Sequence, residues 1–234
     1  HSFPTRRSSD LGGTLNLRNG TYGGTTTLRA GTTGTLTLNG GSTNLYTDTN
    51  ALGGVVFPAN AKLVLNNSAS FSFAGPQDVD TNLVSINAGA NTTIRALFGN
   101  ATLSVGGDAV NDVFNGTLNM TGAGANAFLV KVGASDTFTL GGSLDNPSSK
   151  LRVDDGTVIL AKSSTPAIHA IGSTLAIGNS DAGIETVQVA NNYAGTGSKP
   201  KVNFTDQIFR GVTVDFLHST GRLDLANADR KSVV

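Results

Sequence analysis

Pairs of apolar residues two positions apart, set among threonine, serine, asparagine and glycine, recur along almost the whole chain. Gly34-Thr35-Leu36-Thr37-Leu38 shows the form. A strand alternates its side chains between two faces, so Leu36 and Leu38 point one way and Thr35 and Thr37 the other. The pair returns at Leu15/Leu17, Leu63/Leu65, Phe71/Phe73, Leu103/Val105, Leu118/Met120, Phe138/Leu140 and Leu151/Val153. It continues at Val158/Leu160, Leu175/Ile177, Val187/Val189, Val202/Phe204, Val214/Phe216 and Leu223/Leu225.

The spacing of these pairs predicts the architecture. Leu15 and Leu36 are 21 residues apart, Leu118, Phe138 and Val158 recur every 20, and Val202 and Leu223 are again 21 apart. A period of about 20 residues holding several short strands is a solenoid signature. The reading is all-β: a right-handed parallel β-helix with short strands, coils of roughly 20 residues and each pair stacked on the next coil's pair. Coils about 4.8 Å apart, eight to eleven of them, would make a rod roughly 40–50 Å long. Leu118, Phe138, Val158 and Leu175 are expected to be buried, in or near one column. A sandwich would need hairpin turns, and Asn19-Gly20 could be one, but the constant period and brief strands favour the solenoid. Strand patterns read at Thr14–Arg18, Thr25–Arg29, Gly34–Leu38, Ala51–Leu65 and Thr92–Val105, with loops at Gln77–Thr81 and Gly107–Asn111. No helical apolar stripe occurs.

Composition removes several function classes. Lys+Arg and Asp+Glu are both 16 in 234 residues, so nothing electrostatic draws the chain to nucleic acid or an anionic membrane. There is no cysteine, which excludes disulfides and thiolate metal sites. No apolar run approaches the ~20 residues of a membrane helix, and no secretory signal is visible. Residues 1–11 and 228–234 lack the pair pattern. They read as foreign or disordered ends that resemble translated sequencing-adapter sequence, leaving 12–227 as one solenoid segment, expected to be internal to a larger protein.

Parts of the chain resemble a known family. Thr157-Val158-Ile159-Leu160-Ala161-Lys162, Ala167-Ile168, Ile171-Gly172 and Thr174-Leu175-Ala176-Ile177-Gly178 are similar to the autotransporter-associated β-strand repeat proteins. Val187 and Val189, Asp206-Gln207-Ile208, Val212-Thr213-Val214 and Gly221-Arg222-Leu223-Asp224-Leu225 continue the likeness. Thr14-Leu15-Asn16-Leu17, Tyr22-Gly23-Gly24-Thr25 and Gly34-Thr35-Leu36 resemble the shorter repeat of that family. Asp206 stands where asparagine is typical, and Asn191–Lys201 reads as an insertion. The resemblance implies a right-handed β-helix in a large exported or surface protein of bacteria, with no catalytic residues and no cofactor.

Asp154-Asp155-Gly156 is the most enzyme-like element, because paired carboxylates serve acid–base work on glycosides. Adjacent strand residues face opposite ways, so a turn between Val153 and Val158 is the plainer reading. His169 and His218 each lack a second histidine. Asp78, Asp80, Asp108 and Asp112 have the oxygen chemistry for Ca²⁺, but the repeat of calcium β-rolls does not occur, and solvated loop acids are the default. Asn-x-Ser/Thr at Asn19, Asn66, Asn91, Asn100, Asn115 and Asn203 follows from composition. Tyr22, Tyr46 and Tyr193 are too scattered to form an aromatic glycan platform.

The sequence thus assigns no catalytic, cofactor or metal residues. It points to a non-enzymatic structural or passenger segment of an exported or cell-surface protein, with adhesion as a further role and flanking coils of its own parent chain as neighbours. The alternatives are a fragment of a pectinase-like β-helix enzyme, which needs stacked acids plus Arg152 or other bases on one face, and a glycan-binding module.

Overall fold

A computed structural model describes residues 14–18, 26–27, 35–39, 42–46, 55–56, 62–75, 83, 85–100, 102–122, 124–125, 127–163, 168–179, 183–190, 207–208 and 211–224. Both ends expected to be foreign, and the Gln77–Thr81 loop, lie outside these residues. All regular structure among them is β, with no strand longer than the seven residues of Thr93–Gly99, and every pairing is parallel.

The strands form a solenoid with three main sheets. Sheet I joins β1 (Thr14–Arg18), β4 (Ser42–Tyr46), β7 (Ser70–Gly75), β9 (Thr93–Gly99) and β12 (Thr117–Asn119). Sheet II joins β10 (Leu103–Val105), β13 (Leu129–Lys131), β15 (Lys150–Val153), β17 (Thr174–Ile177) and β19 (Thr213–Phe216). Sheet III is the longest. It runs β3 (Thr35–Asn39), β6 (Lys62–Asn66), β8 (Ser85–Ala88), β11 (Asp112–Phe114), β14 (Thr137–Leu140), β16 (Gly156–Leu160), β18 (Glu185–Val189) and β20 (Arg222–Asp224). Two short strands, β2 (Thr26–Thr27) and β5 (Val55–Val56), pair beside them. Each pass of the chain therefore adds one strand to sheet III, and the sheets carry on in parallel.

The register sets coil length. Thr137 lies beside Thr157, a step of 20 residues. Elsewhere the step is longer: 22 from Leu129 to Leu151, 28 from Thr14 to Ser42, and 39 from Thr174 to Thr213. The extra residues fall between strands, where a loop can lengthen without disturbing the ladder. This changes which pairs stack. Leu36 lies beside Leu63, whereas Leu15, 21 residues earlier, is in sheet I beside Thr43. Of the four residues expected in one column, Phe138 and Val158 are neighbours in sheet III, but Leu118 is in sheet I and Leu175 in sheet II. All four are buried. A spacing near 20 arose partly from comparing strands on different walls of the same solenoid.

The pairs make one continuous interior. Leu63, Leu65, Phe71, Phe73, Ile86, Ile94, Phe114, Leu118, Phe138, Leu140, Val158, Leu175 and Val187 all belong to a single buried cluster. The Phe114 and Phe138 rings stack with centroids 6.4 Å apart. Alternate residues such as Val64, Thr139 and Ile159 are half-buried on the outer face.

Sheet I stops at β12 for a local reason. The Leu118 amide donates to Asn146 Oδ1 at 2.8 Å and the Met120 amide to Ser148 Oγ at 3.1 Å. Pro147 between them has no N–H for a ladder. Side chains of the segment 146–148 thus replace the strand that would have followed, and cover an edge that would otherwise be open to pairing.

Candidate functional site

The chemistry-bearing residues gather at the corners where one sheet turns into the next. At the corner between sheets II and III, the paired acids are used locally. Arg152 Nε and Nη2 donate to Asp154 Oδ1 and Oδ2, both at 2.7 Å, a bidentate pair between residues on one strand face. Asp155 Oδ1 accepts from the Gly156 amide at 2.9 Å, a turn-forming bond. The two carboxylates therefore stand in separate bonds at a turn, and neither faces the other across a cleft.

Beneath that turn lies an ion pair that sequence reasoning missed. Lys131 Nζ meets Asp136 Oδ1 at 2.7 Å, with both side chains 1% exposed. The same ammonium donates to the carbonyls of Val132 and Gly133, and at 3.4 Å to Asp155 O in the next coil. Asp136 Oδ2 accepts from the Gly107 amide at 2.9 Å, in the preceding coil. One lysine and one aspartate thus tie three coil corners together. The turns around them must be glycine. Gly156 has φ +74°, and a Cβ there would stand 2.2 Å from Gly133 O and 2.9 Å from Lys131 Nζ. At Gly106, φ +125°, a Cβ would stand 1.9 Å from Val132 O.

A second buried lysine holds the corner after β16. Lys162 is fully buried, and its ammonium donates to Gly116 O. Its backbone amide and carbonyl pair with Gln207 Oε1 and Nε2, both at 2.8 Å, so a glutamine side chain imitates a strand neighbour. Burial pulls the Lys162 amine down from the ordinary 10.5 to about 8, against the opposing pull of the Asp145 carboxylate. Asp145 Oδ1 accepts from the His169 amide at 2.7 Å and lies 3.1 Å from His169 Nδ1. His169 is therefore engaged with an acid of the preceding coil. His218 Nδ1 lies 2.9 Å from Thr220 Oγ1, within its own turn.

Of the candidate calcium acids, the two described, Asp108 and Asp112, have different partners. Asp108 pairs with Lys62 at 2.9 Å and accepts from the Val110 amide. Its carboxyl lies below the usual range: burial pushes it up, and the bonds from Lys62 and Val110 outweigh that. Asp112 instead points inward from β11. It accepts from Ser85 Oγ at 2.6 Å, Asn87 Nδ2 at 2.8 Å and the Ile86 amide at 3.0 Å, and burial raises its pKa despite these bonds. Asp78 and Asp80 lie outside the described residues, as do Tyr22, Tyr193, Asn19 and Asn203. Among the described residues, no group of three His, Asp or Glu is placed to hold a metal ion. Tyr46 closes β4, and Asn91 and Asn100 are exposed at turns.

The inward charges share a signal that the apolar pairs already carried. Stepping two residues on from Val158/Leu160 lands on Lys162, and two back from Phe138/Leu140 on Asp136. The same step leads from Phe114 to Asp112, from Leu129 to Lys131 and from Val187/Val189 to Glu185. Strand parity alone puts each on the core face.

Comparison with protein-family models, with curated proteins and with solved structures finds no match.

Proposed function

We propose that this chain is a non-catalytic structural segment of an exported or cell-surface protein of bacteria, a β-solenoid rod that spaces or displays neighbouring parts and adheres where its outer face meets a ligand. The observation that carries this reading is the engagement of the most enzyme-like acids in the fold itself: Asp154 with Arg152, and Asp155 with its own turn. A glycosidase needs two carboxylates flanking a bond, one free to donate a proton. The likeness of the 157–178 and 212–225 stretches to autotransporter-associated repeats supports the same reading. Phe216 and Leu217, at the end of β19, are more than half exposed, an apolar surface that fits a segment packed against neighbouring parts of a larger assembly.

Two measurements test the reading. The purified chain should release no reducing sugar from pectin or other polysaccharides. Release that disappears in Asp154→Asn or Asp155→Asn would establish an enzyme instead. On intact cells that carry the gene, the segment should be open to added protease; protection until lysis would remove the surface assignment.

A further inference from the structure

Among the described residues, one buried side chain is left without a partner. Glu185 is 0% exposed, and neither of its carboxylate oxygens has a hydrogen-bond partner. It opens β18, on the same strand face as Val187 and Val189, so it points into the solenoid. No described ion pair includes it. A carboxylate held away from water without donors is costly, and native folds satisfy such groups.

The solenoid contains a second version of this corner for comparison. Glu185 lies beside Gly156, and Gly156 lies one position before the Thr157–Thr137 pair, beside Asp136. Asp136, Gly156 and Glu185 are thus one column through three successive coils. The facing column is Lys131, Val153 and Ile177. In the first coil the acid meets a cation, Lys131, whose ammonium sits among the Val132, Gly133 and Asp155 carbonyls. In the third coil the acid remains, but the position across from it is a buried isoleucine. The lysine of the first corner does not serve both, because its bonds go to Asp136 and the surrounding carbonyls.

From this internal comparison we propose that the Glu185 corner binds a small monovalent cation, Na⁺ or K⁺, in the place the Lys131 ammonium takes two coils earlier. A single carboxylate balances a single positive charge, which matters where water is excluded. Alkali ions accept backbone carbonyls as ligands, and at the corresponding corner two coils earlier the carbonyls of Val132 and Gly133 close on the Lys131 ammonium. A divalent ion would leave one charge unbalanced in the interior. The proposal does not depend on export or adhesion. It holds for the solenoid whatever its host protein does.

The test uses the full chain and two variants. Equilibrium dialysis against radioactive Rb⁺, a K⁺ congener, should find one ion bound per chain, and none in Glu185→Gln. The thermal midpoint should rise by about 3–6 °C for each tenfold increase in free Na⁺ or K⁺ above the dissociation constant, and stay level in choline chloride at matched ionic strength. Ile177→Lys places an amine where Lys131 stands relative to Asp136. It should raise the midpoint in choline and abolish both the salt dependence and Rb⁺ binding. Absence of Rb⁺ binding with equal melting in all three salts would overturn the proposal. So would stabilisation by Ca²⁺ alone, or Rb⁺ binding that survives in both variants.

Discussion

Lys131 and Asp136 form an ion pair inside the wall of the solenoid, Nζ to Oδ1 at 2.7 Å, where water reaches neither side chain. Five residues apart in sequence, they reach both neighbouring coils through Asp155 O and the Gly107 amide. Removing one partner strands the other charge in a dry interior. Lys131→Met or Asp136→Leu alone should therefore cost about 3–5 kcal/mol, while the double variant Lys131→Met/Asp136→Leu should recover much of that loss. Denaturant unfolding of the four proteins closes the cycle, and strictly additive losses would show that the pair is not coupled.

The turn above that pair tolerates only glycine. Gly156→Ala forces a side chain into the left-handed region, worth about 1–3 kcal/mol, and drives its Cβ against Gly133 O. That oxygen is backbone and cannot rotate away. The expected outcome is a loss at the upper end of that range or beyond. The control is Gly107→Ala, where φ is +108° but nothing stands near the added atom, so strain alone applies. Equal losses at the two sites would remove the packing argument.

Lys162 should give stability a distinctive pH dependence. Its amine is pulled down to about 8 in the folded chain from 10.5. Between those values the unfolded chain binds more protons, so stability rises with pH across that window and is flat below it. The slope from this residue is at most about 1.4 kcal/mol per pH unit. Unfolding measured from pH 7 to 10 should show the rise in the native chain and lose it in Lys162→Met. A slope unchanged by the substitution would place its origin elsewhere.

The ends of sheets II and III should drive association. Among the described residues, β19 and β20 each pair with a strand on one side, and Phe216 and Leu217 beside them are 54% and 55% exposed. Unpaired strand edges recruit other strands. Sedimentation over a concentration series should show growing end-to-end species, reduced by Phe216→Lys. A monomer at high micromolar concentration would contradict this.

The apolar pairs by themselves determined that this chain is all-β, short-stranded and stacked. Two-residue alternation between a dry and a wet face is a local property, and Leu63/Leu65, Phe138/Leu140 and Val187/Val189 face inward as their spacing requires. The turn character of Asp154-Asp155-Gly156 was legible for the same reason, since Asx and glycine chemistry acts within a few residues. Which pairs stack was not legible. Whether Leu36 meets Leu15 or Leu63 depends on how many residues each corner consumes, and loops of different length leave the strand pattern untouched. The inward charges lay between these cases. Parity placed Lys131, Asp136, Lys162 and Glu185 on the core face. Whether each found a partner there was decided by the register of coils 20 to 46 residues apart, because desolvated charge is satisfied only by what the neighbouring coils bring within hydrogen-bond reach.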